Sequence, residues 1–119
     1  MELSYIELRV ILVWYGLYDI IINHCMKRWV IIFRALANIN RLTIIKLLSD
    51  GGRMNVGDLA DALHISFKAT SNHLAILKNL DVLDATGVAG HVLYSLHPAL
   101  PQDLRRALSL CIKLKQGSK

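Results

Sequence analysis

Lys68, Ser71 and Asn72 recur at the spacing of one helical face within the segment Ile65–Leu80. Lys can reach a guanine edge or a phosphate, and Asn can pair bidentately with adenine. Ser71 adds a small donor, and Ala75 and Asn79 continue the row with little bulk. The chemistry open to this row is hydrogen bonding to base edges in a DNA major groove, which admits one α-helix. The plainer alternative is that these polar side chains only solvate a surface helix. Around them stand further candidates. Ser66 is a natural N-cap, also placed to meet a phosphate. Phe67 can touch a thymine methyl or pack on the preceding turn. His73 reads as a packed or phosphate-contacting residue, with a metal ligand or acid-base group as the rarer alternative. His91 lies beside the tip of a later hairpin. Arg41 and Lys46 can touch DNA backbone, with an internal ion pair as the other reading for Arg41.

A reading helix needs elements that hold it. Thr70, Leu74, Leu77 and then Leu80 or Asp81 repeat at helical spacing and are predicted to face inward. Upstream, the pattern predicts a first helix over about Tyr5–Ala37, broken near Gly16 or His24. A second helix is predicted over Arg41–Ser49, with Leu42, Ile45, Leu47 and Leu48 in the core. Gly51-Gly52 stops it, glycine tolerating the left-handed geometry of a helix end. Arg53–Asn55 is predicted as a short strand. Val56–Leu63 is predicted as a helix burying Val56, Leu59, Ala60 and Leu63, and His64-Ile65 as a tight turn. After Leu80 the period changes to two: Val82–Thr86, a turn Gly87-Val88-Ala89-Gly90, then His91–Leu96, a hairpin. Pro101 is placed as a first-turn proline of a final amphipathic helix, Gln102–Lys115, whose apolar side is Leu104, Ala107, Leu108, Cys111 and Leu114. The fold class is therefore mainly α with a small β-hairpin, a winged helix-turn-helix.

The chain has 119 residues, enough for one modest core without disulfides. Fourteen Lys and Arg against nine Asp and Glu give +5; from Met26 onward thirteen basic residues face six acidic ones, leaving +7 on that part. The excess favours a polyanionic partner. Two cysteines, Cys25 and Cys111, with no CxxC pair fit a reducing cytoplasm better than a disulfide framework.

The N-terminus is the most apolar part. Val10–Met26 is nearly continuous, interrupted by Asp19, Asn23 and His24. It is marginal in length for a membrane span, with a costly Asp19 near its middle, and Glu2 and Glu7 do not suit a signal peptide. Asp19, Asn23, Lys27 and Arg34 share one stripe and the rest is apolar nearly all round, so such a helix needs cover, which a partner subunit supplies most simply. A second reading starts the natural chain at Met26-Lys27-Arg28, residues 1–25 then being an artefact of start assignment. Three segments follow: 1–32, an apolar dimerisation helix; 33–97, the winged helix-turn-helix; and 98–119, a second dimerisation helix.

The stretch Phe33–Leu96 resembles the arsenic-repressor (ArsR) family of small transcription regulators. The resemblance rests on Ala35-Leu36-Ala37-Asn38 followed by Arg41-Leu42 and Ile44-Ile45-Lys46-Leu47-Leu48. It continues in Val56-Gly57-Asp58-Leu59-Ala60, in Ile65-Ser66 with Ser71-Asn72-His73-Leu74 and Leu77, and in Gly90-His91 with Tyr94 and Leu96. It implies a homodimer joined through the first and last helices, Ser66–Leu80 as recognition helix, and repression through an inverted repeat in double-stranded DNA. Two departures stand out. The family's hairpin tip commonly carries arginines or lysines, whereas here it is Gly87-Val88-Ala89-Gly90, with Asp84 adding the wrong sign; since phosphate contacts dominate non-specific affinity, weaker and more salt-sensitive binding is expected, or a wing that does not touch DNA. The family's metal sites are also missing. The position of one Cys-Val-Cys site holds Asn55-Val56-Gly57, and the last helix offers Asp103 but no histidine. No cofactor and no small-molecule effector can be named. His24-Cys25 and Cys111 could meet at a dimer interface as a thiol-based metal or redox site, while buried cysteines acting as small hydrophobes are the alternative.

Catalysis finds little support. His24, His64, His73, His91 and His97 show no HExxH-type pairing, no GxSxG or P-loop exists, and Asp58 and Asp61 fall on the solvent side of their helix. The rival to a DNA-binding regulator is a winged-helix interaction module, docking on a protein or a membrane surface, in which exposed apolar residues would gather around Phe67, Val88 and Ala89.

Overall fold

The computed structural model describes residues 4–14 and 16–112. They form six helices and one hairpin in the order α1 (Tyr5–Trp14), α2 (Leu17–Leu36), α3 (Ile39–Leu47), α4 (Val56–Leu63), α5 (Phe67–Asn79), β1 (Leu83–Val88), β2 (His91–Leu96) and α6 (Gln102–Cys111). Two compact units divide between Arg34 and Ala35.

The first unit is helical. Ser4 and Glu7 form a reciprocal cap: Glu7 N–H donates to the Ser4 hydroxyl at 3.2 Å and Ser4 N–H to the Glu7 carboxylate at 2.9 Å. The first helix is interrupted at Gly16, whose φ of +68° suits glycine, and not at His24, which lies inside α2. On α2, Trp29 and Phe33 stack one turn apart, ring centres 5.2 Å from each other. Ile6, Leu8, Ile20, Ile21, Ile31 and Phe33 are all exposed. No helix among the described residues is long and apolar enough to cross a membrane.

In the second unit, side-chain oxygens decide where helices begin. Asn38 Oδ1 accepts the N–H groups of Asn40 and Arg41 at 3.0 and 3.1 Å, so α3 starts at Ile39, two residues before the predicted Arg41. Its inward face is Arg41, Ile44, Ile45 and Leu48. Ile44 is fully buried, while Leu42 and Leu47, predicted for the core, are half-buried. Asn55 Oδ1 accepts Asp58 N–H at 2.8 Å and opens α4 at the predicted Val56. Leu59 and Ala60 are buried there, Val56 and Leu63 only partly. The predicted strand Arg53–Asn55 contracts to one bridge, Met54 with Tyr94, since Asn55 is taken up by the helix cap.

The hairpin is tighter than predicted. Gly87 pairs with Val92 and Val88 with His91, leaving a two-residue turn, Ala89-Gly90. Both have positive φ, +50° and +82°, the sense that matches the right-handed twist of paired strands and lets two further pairs form. Pro101 stands one residue before its predicted place, at the N-cap of α6. The final helix also ends before the predicted Lys115: Ile112 turns extended and its own side chain goes inward. Cys111, predicted on the apolar side, is left exposed. Leu114, Lys115 and the side chain of Asp19 lie outside the described residues. Leu104, Leu108 and Ile112 are buried at four-residue intervals and complete the core with Ile44, Ile45, Leu48, Leu59, Leu74, Leu77, Val82 and Leu83.

Candidate nucleic-acid interface

Helix α5 is fixed at both ends and along one side. At its start the Ser66 hydroxyl accepts Ala69 N–H at 3.1 Å. The Thr70 hydroxyl, completely buried, is satisfied by the Ser66 carbonyl at 2.9 Å. Leu74 and Leu77 continue that inward stripe, both fully buried. At the far end Val82 N–H reaches the Leu77 carbonyl and Asp81 N–H the Lys78 carbonyl, a Schellman pair with Asp81 in the left-handed region at φ +57°. Leu80 is half-buried; Asp81 has left the helix and is exposed, so it does not face inward. The turn from α4 is closed in the same way, by His64 at φ +57°.

The opposite side is open. Lys68, Asn72, Ala75 and Asn79 are exposed and Ser71 is half-buried, one continuous stripe of donors and small groups. Phe67 is 62% exposed and so is not packed into the preceding turn. It borders a groove of about 400 Å³ shared with Asn55, Gly57, His91, Val92 and Tyr94. The structure thus brings Phe67 and His91 together, while Lys68, Ser71 and Asn72 lie along the helix outside that groove. Val88 and Val92 on the wing are 45% and 47% exposed. Asp84 is not at the wing tip: it pairs with Ser95 near the hairpin base, half-buried, its carboxylate accepting Ala85 N–H.

His73 is half-buried beside the stripe, and Arg41 hydrogen-bonds it at 3.2 Å. Loss of solvent on burial, and secondarily the Arg41 charge, hold its pKa below the ordinary 6.5. Arg41 also donates to the Ala35 carbonyl, so it works inside the fold. The sequence signal for that role was its place three residues before Ile44, on the buried face of α3. The cap at Asn55 was likewise available, as an oxygen three residues before Asp58. No cluster of three or more His, Cys, Asp or Glu side chains able to hold a metal occurs among the described residues. Cys25 and Cys111 are exposed free thiols, Cys25 in the first unit and Cys111 in the second.

The sequence profile of the bacterial regulatory protein arsR family matches residues 38–85, from the Asn38 cap through the start of the hairpin. Over 72 residues the chain is 36% identical to the transcriptional repressor SdpR of Bacillus subtilis, covering 60% of this chain and 79% of that protein. The chain belongs to the arsR family. A second family relative, the arsenic resistance transcriptional regulator ArsR1 of Pseudomonas putida, is 35% identical over 72 residues, 60% of this chain; there the match spans only 56% of the relative's length. Among solved structures, the homodimeric winged helix-turn-helix DNA-binding domain of a possible ArsR-family transcriptional regulator from Mycobacterium bovis superposes with a TM-score of 0.63. It is 25% identical, covering 75% of this chain and 79% of that one. In an arsR-family transcriptional regulator α4 and α5 are the helix-turn-helix and β1–β2 is the wing.

Proposed function

We propose that the protein is a cytoplasmic repressor that binds an inverted repeat as a homodimer, setting one copy of α5 into each of two successive major grooves. The observation that carries this reading is the open stripe Lys68, Ser71, Asn72 on a helix held by caps and by a buried opposite face. Asn72 reads an adenine edge and Lys68 a guanine edge or phosphate, and Ser71 adds a short donor. Ser66 and His91 lie toward the phosphates, and Phe67 toward a thymine methyl. The names of the Bacillus and Mycobacterium proteins support repression and pairing respectively. Two copies of α5 separated by one turn of B-DNA would stand about 34 Å apart. Residues 1–32 and 98–119 supply the dimer contacts, with exposed apolar side chains on α1 and α2 and Leu110 on α6 available for them. The role is regulatory and not catalytic. No effector is assigned.

A second reading, a winged-helix module that docks on a protein or a membrane surface, draws on Phe67, Val88 and Val92, apolar and exposed beside an uncharged wing tip. One experiment separates the two: selection from random duplexes across a salt series, with sequencing of the bound pool. An enriched inverted repeat whose affinity drops steeply with salt is the expected result. Weak, unselective binding even at low salt would transfer the assignment to the docking module. The double variant Lys68→Ala with Asn72→Ala is expected to lose operator selectivity by about 1–3 kcal/mol per lost base contact while remaining dimeric by sedimentation.

A further inference from the structure

Arg41 and His73 are separated by 32 positions in the chain, yet their side chains meet. Arg41 lies in the first turn of α3, directly after the Asn38 cap. Its Nε–H donates to the Ala35 carbonyl in the last turn of α2, and its Nη1 lies 3.2 Å from His73 Nδ1, midway along α5. A guanidinium has donors and no acceptor, so Nδ1 must present a lone pair and the neutral ring must carry its proton on Nε2. The fork is planar and its directions are fixed. One side chain therefore refers α5 to the end of α2 and the start of α3 together.

The other restraints on this side of α5 are of a different kind. Leu74 and Leu77 bury apolar surface, which decides the inward face but has little directionality. The Thr70 hydroxyl is spent on its own helix. The Arg41 bond is directional, and its acceptor is the immediate chain neighbour of Asn72. We propose that Arg41 and His73 are positioning residues: His73 does not contact DNA but accepts the hydrogen bond that sets the rotation of α5, and protonation of its ring releases that setting. The proposal rests on α5 being the helix that reads DNA.

An imidazolium has two N–H donors and nothing to offer a guanidinium, so the bond becomes a repulsion between like charges. Other charged groups lie on the elements packed against α5: Lys46 on α3, Asp58 and Asp61 on α4, and Asp84 on β1. Arg41 is the one whose charge acts on His73. Added positive charge beside a polyanion would by itself raise affinity. The positioning role predicts the opposite sign.

The test measures affinity for the selected operator from about pH 7.5 to about pH 5.5, with His73→Asn and Arg41→Gln beside the natural chain. Asn places an amide oxygen where Nδ1 stood and does not titrate. The natural protein is expected to weaken about tenfold on acidification, the size of one hydrogen bond to a charged group. His73→Asn should match it at the upper pH and not weaken in acid, and Arg41→Gln should be weak throughout. Affinity of the natural protein that rises in acid, or a His73→Asn profile that follows the natural one, overturns the proposal. NMR titration of His73 without DNA gives a second readout: Arg41→Gln should raise its protonation midpoint, and an unchanged midpoint overturns the coupling even if a variant loses stability. An operator bound with a flat natural profile sinks the positioning role alone. Failure to enrich any duplex sinks it together with the DNA-reading role of α5.

Discussion

Asn38, Asn55 and Ser66 each accept a backbone N–H from the first turn of the helix that follows. Three consecutive helices thus start where a side-chain oxygen stands. The ionisation of His73 bears on stability. Its folded pKa lies below the ordinary 6.5, so on acidification the unfolded chain takes up the proton first. The resulting contribution is fully present above that value, is lost as pH falls through it, and stops changing once the folded form is also protonated. Thermal midpoints from about pH 8 down to about pH 5 should therefore drop more steeply in the natural protein than in His73→Asn. Identical slopes would mean that the ring titrates alike in both states. Ala89 carries a backbone cost, as one of the non-glycine residues at positive φ. Held at φ +50° without a glycine's freedom, it should gain about 1 kcal/mol on Ala89→Gly, read as a higher denaturation midpoint. A fall would show that the turn tolerates the methyl group without strain.

At the scale of elements, helix periodicity carried far into the fold. Val56–Leu63 is one helix as predicted, and Thr70, Leu74 and Leu77 are buried as their spacing required. The shortfalls have local causes. The two-residue pattern around Gly87 looked like a loop because glycine is common in turns, but pairing to Val92 needs only extended backbone there, and positive φ is concentrated in Ala89-Gly90. Helix α6 ends at Cys111 because Ile112 leaves helical geometry to bury its side chain, an outcome of tertiary packing to which helical spacing is blind. The groove shared by Phe67, His91 and Tyr94 was equally out of reach, since it depends on how the hairpin folds back over two helix starts. The polar stripe on α5 was legible because it follows from spacing alone. The Arg41–His73 bond was not, because nothing local ties position 41 to position 73.

At the scale of the molecule, the +5 chain combines a capped helix bearing an open polar stripe with an unusually apolar helical unit. Ile20 and Ile31 are exposed on α2, where a soluble monomer would gain nothing from them. On the proposed dimeric reading, the paired substitution Ile20→Asp with Ile31→Asp is expected to shift sedimentation from dimer to monomer and to reduce operator affinity by orders of magnitude, because a single α5 would then meet only half a site. A double variant that stays dimeric would move the interface away from this face of α2.

The two exposed thiols offer a use unrelated to any native chemistry. Cys25 belongs to one compact unit and Cys111 to the other, and among the described residues neither is engaged in a disulfide. Nitroxide labels attached to both would make the unaltered sequence a molecular ruler, and pulsed electron–electron spectroscopy with and without operator would report whether the two units keep a fixed separation when DNA is bound.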